Sequence, residues 1–296
     1  MKLYEARWPY LSFQYGIDLI CYVDQKFLGG AIERFVRDYD LLNALDESDP
    51  ERHKMRRLRY DLADEDDLIF LFHFFIHFQL VGPFPDPDVI EYLHHFEYQS
   101  TYERKRMMEF HKKAVQKLLY RRGTNKTYFA KWVAAWDGEL DEALNIYKDA
   151  KLVVFVRNPA DQIKSWIKLQ GLLSRDITGT VSVDNPAVLA QIKKENRIWY
   201  ENEVKLLKSY DASKIKLVKF DDYYGDIQGN TRDLYKFLGR DIKEGSKFDL
   251  FLKQQTQQQL GHRATVTDSK YIGEEEIKTF PNLPVVLFSE KAKKTE

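Results

Sequence analysis

The sequence contains a single cysteine, Cys21, and carries no net charge, with 46 basic and 46 acidic residues. One cysteine excludes an intramolecular disulfide and any metal site built from several thiolates. A lone thiol suits a reducing compartment, so we expect a cytoplasmic protein. Because the charges balance, nothing global favours a nucleic-acid partner, and any site for an anion has to be built locally.

Long hydrophobic runs are also missing. The most apolar segment, LIFLFHFFIHFQLV at residues 68–81, is shorter than the roughly 18 to 20 residues that span a bilayer, and it contains two histidines. We predict that it is a buried helix, preceded by the acidic residues 64–67 and ended by GPFPDP, and that the chain has no membrane span. The first residues, MKLYEARWPY, lack the apolar core of a signal peptide, so we expect no targeting segment.

A glycine-rich phosphate loop is the third missing feature. The 14 glycines form no G-x-x-x-x-G-K-[ST] motif, and the Gly29-Gly30 pair has no lysine, serine or threonine after it. We interpret that pair as a helix junction. The missing lysine and hydroxyl argue against a kinase that holds ATP phosphates in such a loop.

The strand and helix patterns predict an α/β fold, in which a parallel sheet is flanked by helices. Residues 153–156 and 215–220 have strand-like patterns, and each leads into a helix signal. We predict one domain over residues 1–296. In it, residues 1–125 are mainly helical, 126–240 form the α/β core, and 241–296 form a C-terminal extension.

Two helices are predicted around the second strand. Apolar residues recur at helical spacing over residues 186–210, which favours a crossover helix with Lys193, Lys194 and Glu195 on its solvent side. A second helix follows the strand, with Asn230 as its N-cap and Gly239 at its end.

The segment KLVVFVRNPADQIKSW, residues 151–166, is the best candidate for a binding site. Its continuous apolar strand is typical of a strand buried on both faces, and ligands of parallel sheets bind beyond the carboxyl ends of the strands. Arg157 stands at that end. Asn158 and Pro159 are placed to cap and begin a helix, with Asp161 in its first turn and Ser165 two turns along the face that Asn158 begins. A guanidinium and a hydroxyl placed in this way suit a phosphate. The alternative is that Arg157 pairs with a carboxylate at the sheet edge and that Ser165 has no special role.

The run Val156-Arg157-Asn158-Pro159, with Ser165 eight residues after the arginine, resembles the 3′-phosphate-binding segment of the sulfotransferases that use 3′-phosphoadenosine 5′-phosphosulfate (PAPS). TYFAKW and IYKDAKLVVFVRNP are similar to the family's lysine-bearing strand and its lead-in to this segment. KLVKFDDYYGDIQGNTRDLYKFLG and, more loosely, GHRATVTDSKYIGEEEI resemble later elements of the same family. The resemblance covers most of residues 60–280.

The resemblance implies a P-loop-transferase-like fold, PAPS as sulfuryl donor and roles for five residues. Arg157 and Ser165 would bind the 3′-phosphate, and Lys131 would reach the transferring sulfuryl group. No histidine follows Lys131, so Glu5 is the candidate general base, and His262 is a candidate contact to nucleotide or substrate. The acceptor would be a hydroxyl or an amine of a small molecule, glycan or lipid.

The sequence departs from the family at its start, where a strand and a Gly-Thr-rich loop should wrap the 5′-phosphosulfate. We expect an incomplete version of a longer protein rather than a natural relative that lost this loop. The alternative function is a catalytically inactive member of the fold that acts as a nucleotide-binding or protein-interaction module. No metal site is predicted, since the four-residue spacing of His73 and His77 has no marked third ligand and fits core or groove histidines better. The basic run at residues 104–126 is interpreted as a solvated helix face rather than an acceptor patch.

Overall fold

The computed structural model describes residues 10–11, 29, 31, 86, 88, 96–123, 125–131, 139–180, 182–259 and 271–280. The chain divides into two compact units, one of residues 1–146 and 172–181, the other of residues 147–171 and 182–296. The expectation of one domain stays a prediction. The helix predicted at 68–81 and the two histidines in it lie outside the described residues.

Helices make up most of the described residues, together with two short parallel pairs of strands. The strands are β1 (Tyr10–Leu11), β2 (Thr127–Tyr128), β3 (Leu152–Val156) and β4 (Ile215–Lys219). The α-helices are α1 (Thr101–Arg122), α2 (Glu139–Ile146), α3 (Pro159–Thr178), α4 (Pro186–Ser209), α5 (Phe220–Gly225), α6 (Ile227–Phe237), α7 (Lys247–Gln259) and α8 (Glu274–Ile277). Over the described part of the chain, no helix is long and apolar enough to cross a membrane.

In the first unit, helix α1 begins at an N-cap serine and packs beside α2. The Ser100 hydroxyl accepts a hydrogen bond from the Glu103 amide, which satisfies one free N–H of the first turn. The Arg104 guanidinium pairs with Glu142 of α2, with Nε 3.1 Å from Oε1, and both side chains are about three-quarters buried. The predicted basic run is therefore helical, and one of its members ties two helices together.

In the second unit, β3 and β4 are parallel, as predicted. Their register pairs Leu152 with Ile215 at one end and Val156 with Lys219 at the other. The carboxyl ends of both strands therefore lie at the same edge of the sheet.

The burial of β3 differs from the prediction. Val154 and Val156 are buried, but Phe155 on the opposite face is 45% exposed and contacts Tyr223 edge-on at a ring distance of 5.2 Å. The expectation of burial on both faces was wrong, because side chains alternate along a strand and the core covers only the valine face here. The apolar side chain of Phe155 does not by itself show that its face of the sheet is covered by the core.

The predicted crossover helix is confirmed as α4, which follows α3 between the two strands. The Asn185 side chain caps it by accepting from the Ala187 amide at 2.9 Å, and Pro186 occupies its first position. The prediction that Glu195 lies on the solvent side was wrong, since this residue is 1% exposed. Its Oε1 accepts a hydrogen bond from Gln191, so one of its oxygens meets a polar group inside the helix interface.

Helix α6 begins earlier than predicted. Asp226, not Asn230, is its N-cap and accepts from the Gly229 amide at 2.8 Å, while the Asn230 amide donates to two backbone carbonyls. The predicted end is confirmed: Gly239 has φ +74°, its N–H donates to the Lys236 carbonyl, and the next amide donates to the Tyr235 carbonyl at 2.8 Å. This pair of bonds is the Schellman arrangement that glycine favours after a helix.

Candidate functional site

Arg157 lies at the carboxyl edge of the parallel pair, as the sequence predicted. It follows the last residue of β3, and Phe220 follows the last residue of β4. Because the register pairs Val156 with Lys219, Arg157 and Phe220 meet across this edge. This is the side of a parallel sheet on which ligands bind.

The Arg157 guanidinium lies over the ring of Phe220, with its central carbon 4.7 Å from the ring centroid. Such a contact attracts the cation without occupying its N–H donors. No carboxylate among the described residues forms an ion pair with Arg157. The alternative, in which Arg157 pairs with a carboxylate at the sheet edge, is therefore not observed among the described residues.

The chain turns from β3 into α3 directly after the arginine. Asn158 accepts a hydrogen bond on its side-chain oxygen from the Ala160 amide at 3.0 Å, and its carbonyl accepts from the Asp161 and Gln162 amides. Pro159 is the first helical residue, where its missing N–H has no consequence. The predicted cap and helix start are confirmed.

Ser165 lies on α3, seven residues and about two helical turns after Asn158. Its side chain is half-buried, and its hydroxyl forms no hydrogen bond with the described part of the chain. The hydroxyl is thus available to a ligand, as is the guanidinium of Arg157.

Two buried polar groups on α4 were missed in the sequence, and the charge of Arg157 influences the pKa of one of them, Tyr200. Tyr200 and Glu203, on α4, are 2% and 5% exposed, and the buried Tyr200 hydroxyl has no hydrogen-bond partner among the described residues. Burial raises the pKa of Tyr200; Glu203 raises it further, while the positive charge of Arg157 lowers it. Burial raises the pKa of the Glu203 carboxyl to about 8.

The helical spacing carried a signal for these two residues. Counting from Ile192, the buried face of α4 passes through Asn196 and Trp199 to Glu203 and Leu206, in steps of three or four residues. The apolar members of that face alone predicted the helix. A carboxyl at an inward position of an amphipathic helix is the sign that was overlooked.

The other candidate residues are placed as follows. Lys131 is exposed, follows β2, and belongs to the first unit, whereas Arg157 and Ser165 belong to the second. Glu5 and His262 lie outside the described residues. Within the described part of the chain, no group of three or more His, Cys, Asp or Glu side chains has the arrangement of a metal site.

Comparisons with known proteins identify the family of the chain. The family model "Sulfotransferase family" matches residues 47–244, about two thirds of the chain, a segment that includes Lys131, Arg157 and Ser165. A search of curated proteins and a search of solved structures return no match. The described residues have the parallel strands and surrounding helices of an α/β fold, and Arg157 lies at the carboxyl edge of one strand pair. The chain belongs to the sulfotransferase family.

Proposed function

We propose that this protein transfers a sulfuryl group from PAPS to a hydroxyl or amine of an acceptor, and that Arg157 and Ser165 bind the 3′-phosphate of the donor. The observation that carries the proposal is the state of Arg157: it stands at the carboxyl edge of a parallel pair and has no carboxylate partner among the described residues. A partly buried guanidinium without an ionic partner among the described residues is suited to bind an anion such as a phosphate.

The chemistry of the two side chains fits a phosphate monoester. A guanidinium offers a planar set of donors that match two phosphate oxygens, and a hydroxyl adds a third donor. The Phe220 ring below Arg157 limits the directions that the guanidinium plane can take. The caps at Asn158 and Pro159 fix the path from strand to helix, and thereby the offset between arginine and serine.

Lys131 and Glu5 have different proposed roles in the transfer step. When bound, PAPS supplies a sulfuryl group that an acceptor oxygen or nitrogen takes by in-line displacement at sulfur, with 3′-phosphoadenosine 5′-phosphate (PAP) as leaving group. The Lys131 ammonium would offset the negative charge that grows on the bridging oxygen. Glu5 would take the acceptor proton, and His262 would contact nucleotide or substrate.

Binding of PAP to the full chain tests the phosphate site. We expect Arg157→Ala to weaken PAP binding by about 30-fold or more, because a charged partner of the phosphate is lost. Ser165→Ala should weaken it by about tenfold, the value of one hydrogen bond to a charged group. The matched control is Arg106→Ala on α1, which removes an exposed arginine paired with Glu103 and should leave the affinity unchanged. Calorimetric titration measures all four proteins, and an unchanged affinity in Arg157→Ala contradicts the assignment.

Sulfuryl transfer is tested separately with isotopically labelled PAPS and a panel of phenols, sterols, glycans and primary amines. The unmodified chain should label at least one acceptor, and Lys131→Ala should slow that transfer by about 10² to 10³. PAP binding without transfer to any acceptor would instead support the inactive nucleotide-binding or interaction module.

A further inference from the structure

A groove lies along the first half of α4, beside α8, within the second unit. Its volume is about 580 Å³, which is in the range of sites for small molecules. The groove is lined by apolar side chains, which include Leu189, Ala190 and Ile198, and by the charged side chains of Lys193, Lys194, Arg197 and Glu276. None of these residues belongs to the proposed PAP site.

Arg197 is held in this groove by groups that carry no charge. One terminal nitrogen of its guanidinium donates to the Thr279 carbonyl at 3.3 Å, and the other donates to the Thr279 hydroxyl at 3.0 Å. The guanidinium also lies over the Phe280 ring, with its central carbon 4.6 Å from the ring centroid. No carboxylate among the described residues forms an ion pair with Arg197. The orientation of the guanidinium is therefore fixed, while its positive charge is not neutralised.

The other charged side chains leave the groove with a positive net charge. Oε2 of Glu276 lies 2.7 Å from Nζ of Lys193, so these two groups neutralise each other. Lys194 is exposed and lies three residues before Arg197, on the same side of the helix. The charged lining groups are three cations and one carboxylate, so their net charge is +2. This charge favours an anionic ligand.

The apolar and charged parts of the lining follow each other along the helix. Leu189 and Ala190 lie about one turn before the two lysines. Leu189 precedes Arg197 by eight residues, which corresponds to about 12 Å along the helix axis. One end of the groove is therefore apolar, and the cations lie towards the other end, where Ile198 adds a further apolar side chain.

We propose that this groove is a second binding site, for an amphiphilic anion: the anionic head group binds at Arg197 and Lys194, and the attached apolar chain lies along Leu189 and Ala190. The inference goes beyond the proposed function, because it requires neither PAP nor Arg157. An inorganic anion would leave the apolar lining exposed to water, and a neutral apolar molecule would leave the guanidinium without a counter-charge. A ligand that combines an anionic head with an apolar chain matches both parts of the groove.

The test is an NMR titration of the full chain with octanoate, in which the methyl groups of Leu189 and Ile198 are observed. Octanoate should shift these methyl signals to saturation. 1-Octanol, which has the chain but no charge, should bind at least about tenfold more weakly, because it cannot form a charge-assisted hydrogen bond with the guanidinium. Acetate, which has the charge but almost no chain, should bind at least about 100-fold more weakly, because it buries little apolar surface.

Three variants locate the site. Arg197→Met keeps an apolar stem beside Phe280 but removes the charge, so it should weaken octanoate binding by about tenfold or more and leave 1-octanol binding unchanged. Ala190→Glu places a carboxylate at an exposed position one turn before Lys194 and leaves the Arg197 contacts in place, so it should weaken octanoate binding by about tenfold even if Arg197→Met does not fold. The control Lys205→Gln removes an exposed cation of α4 outside the groove and should bind octanoate as the unmodified chain does.

The inference is overturned if octanoate does not shift these methyl signals to saturation, if 1-octanol binds as tightly as octanoate, or if Ala190→Glu binds octanoate as the unmodified chain does. PAP added to the octanoate complex separates the two proposed sites. Octanoate that stays bound supports a second site, whereas octanoate that PAP displaces overturns it. A chain that binds octanoate in the groove but does not bind PAP supports this inference and contradicts the proposed function alone.

Discussion

At Arg157, the residue across the sheet edge is aromatic rather than acidic. The Phe220 ring attracts the guanidinium at 4.7 Å but neutralises none of its charge. The side-chain oxygen of Asn158, the next residue, accepts a hydrogen bond from the Ala160 amide in the helix cap. Both neighbours therefore orient the site while leaving its positive charge for a ligand.

The Phe220 contact leads to a prediction about affinity. Phe220→Leu keeps an apolar side chain but removes the ring face that orients the guanidinium before the ligand binds, so PAP affinity should fall by about two- to fivefold. Phe155→Leu is the control, because that exposed ring lies on the same sheet and contacts Tyr223. Calorimetry compares the two variants, and equal losses of affinity would show that the effect is not specific to the Arg157 contact.

The Glu203 carboxyl leads to a prediction about stability. Burial raises the pKa of this carboxyl from its ordinary value of 4.5 to about 8, so between these pH values the folded chain holds a proton that the unfolded chain has released. The free energy of unfolding therefore decreases as pH rises from about 5 to about 8, by about 1.4 kcal/mol per unit at most.

Urea unfolding at these two pH values measures the effect. Glu203→Gln should remove most of the decrease and be more stable than the unmodified chain at pH 8 by about 2–4 kcal/mol. Glu201→Gln, which is exposed, should differ from the unmodified chain by less than about 0.5 kcal/mol. A Glu203→Gln chain that loses stability with pH as the unmodified chain does would contradict a neutral buried carboxyl.

Among the elements, those with a local chemical signal were predicted correctly. Strand β3 is a run of five apolar residues, β4 has three apolar residues among its five, and α3 begins where Asn158 and Pro159 place a cap and a first residue. Gly239 follows the end of α6 with a positive φ, which glycine adopts readily because it has no Cβ. Such features depend on a few neighbouring residues and are therefore readable from the sequence.

Elements whose burial depends on distant partners were predicted less well. Glu195 was assigned to solvent by its charge, although Gln191 one turn earlier supplies a partner inside the interface. Asn230 and Asp226 are both good cap residues, and the choice between them follows from where α5 ends. The exposure of the Phe155 side chain depends on which elements cover that face of the sheet, and the strand sequence alone does not show this.

The end of α6 gives a prediction at this scale. Gly239→Ala should destabilise the chain by about 1–2 kcal/mol, because alanine is strained at φ +74° although no atom lies within 4 Å of the added Cβ. Gly225→Ala, at the end of α5, has equal space and no positive φ, so its stability should be unchanged or slightly higher. Thermal unfolding distinguishes the two variants, and similar midpoints would argue against the strain.

At the scale of the whole molecule, the chemistry is local. The chain has no net charge, so the proposed attraction of an anionic donor would depend on individual cations, for which Arg157 and Lys131 are the candidates. The family was recognisable from the sequence because the Arg-Asn-Pro turn and the serine eight residues after the arginine form a short pattern with a fixed offset. The acceptor was not recognisable from the sequence, because aromatic residues that line a pocket cannot be distinguished by composition from those of a hydrophobic core.

The preference for a ligand with a 3′-phosphate tests whether Arg157 binds that group. The affinity of the unmodified chain for PAP is compared with that for adenosine 5′-monophosphate, which lacks the 3′-phosphate, and the comparison is repeated with Arg157→Ala. We predict that the unmodified chain prefers PAP by about 30-fold or more and that Arg157→Ala loses most of this preference, since the arginine acts only on the 3′-phosphate. An equal preference for PAP in both proteins would contradict the account.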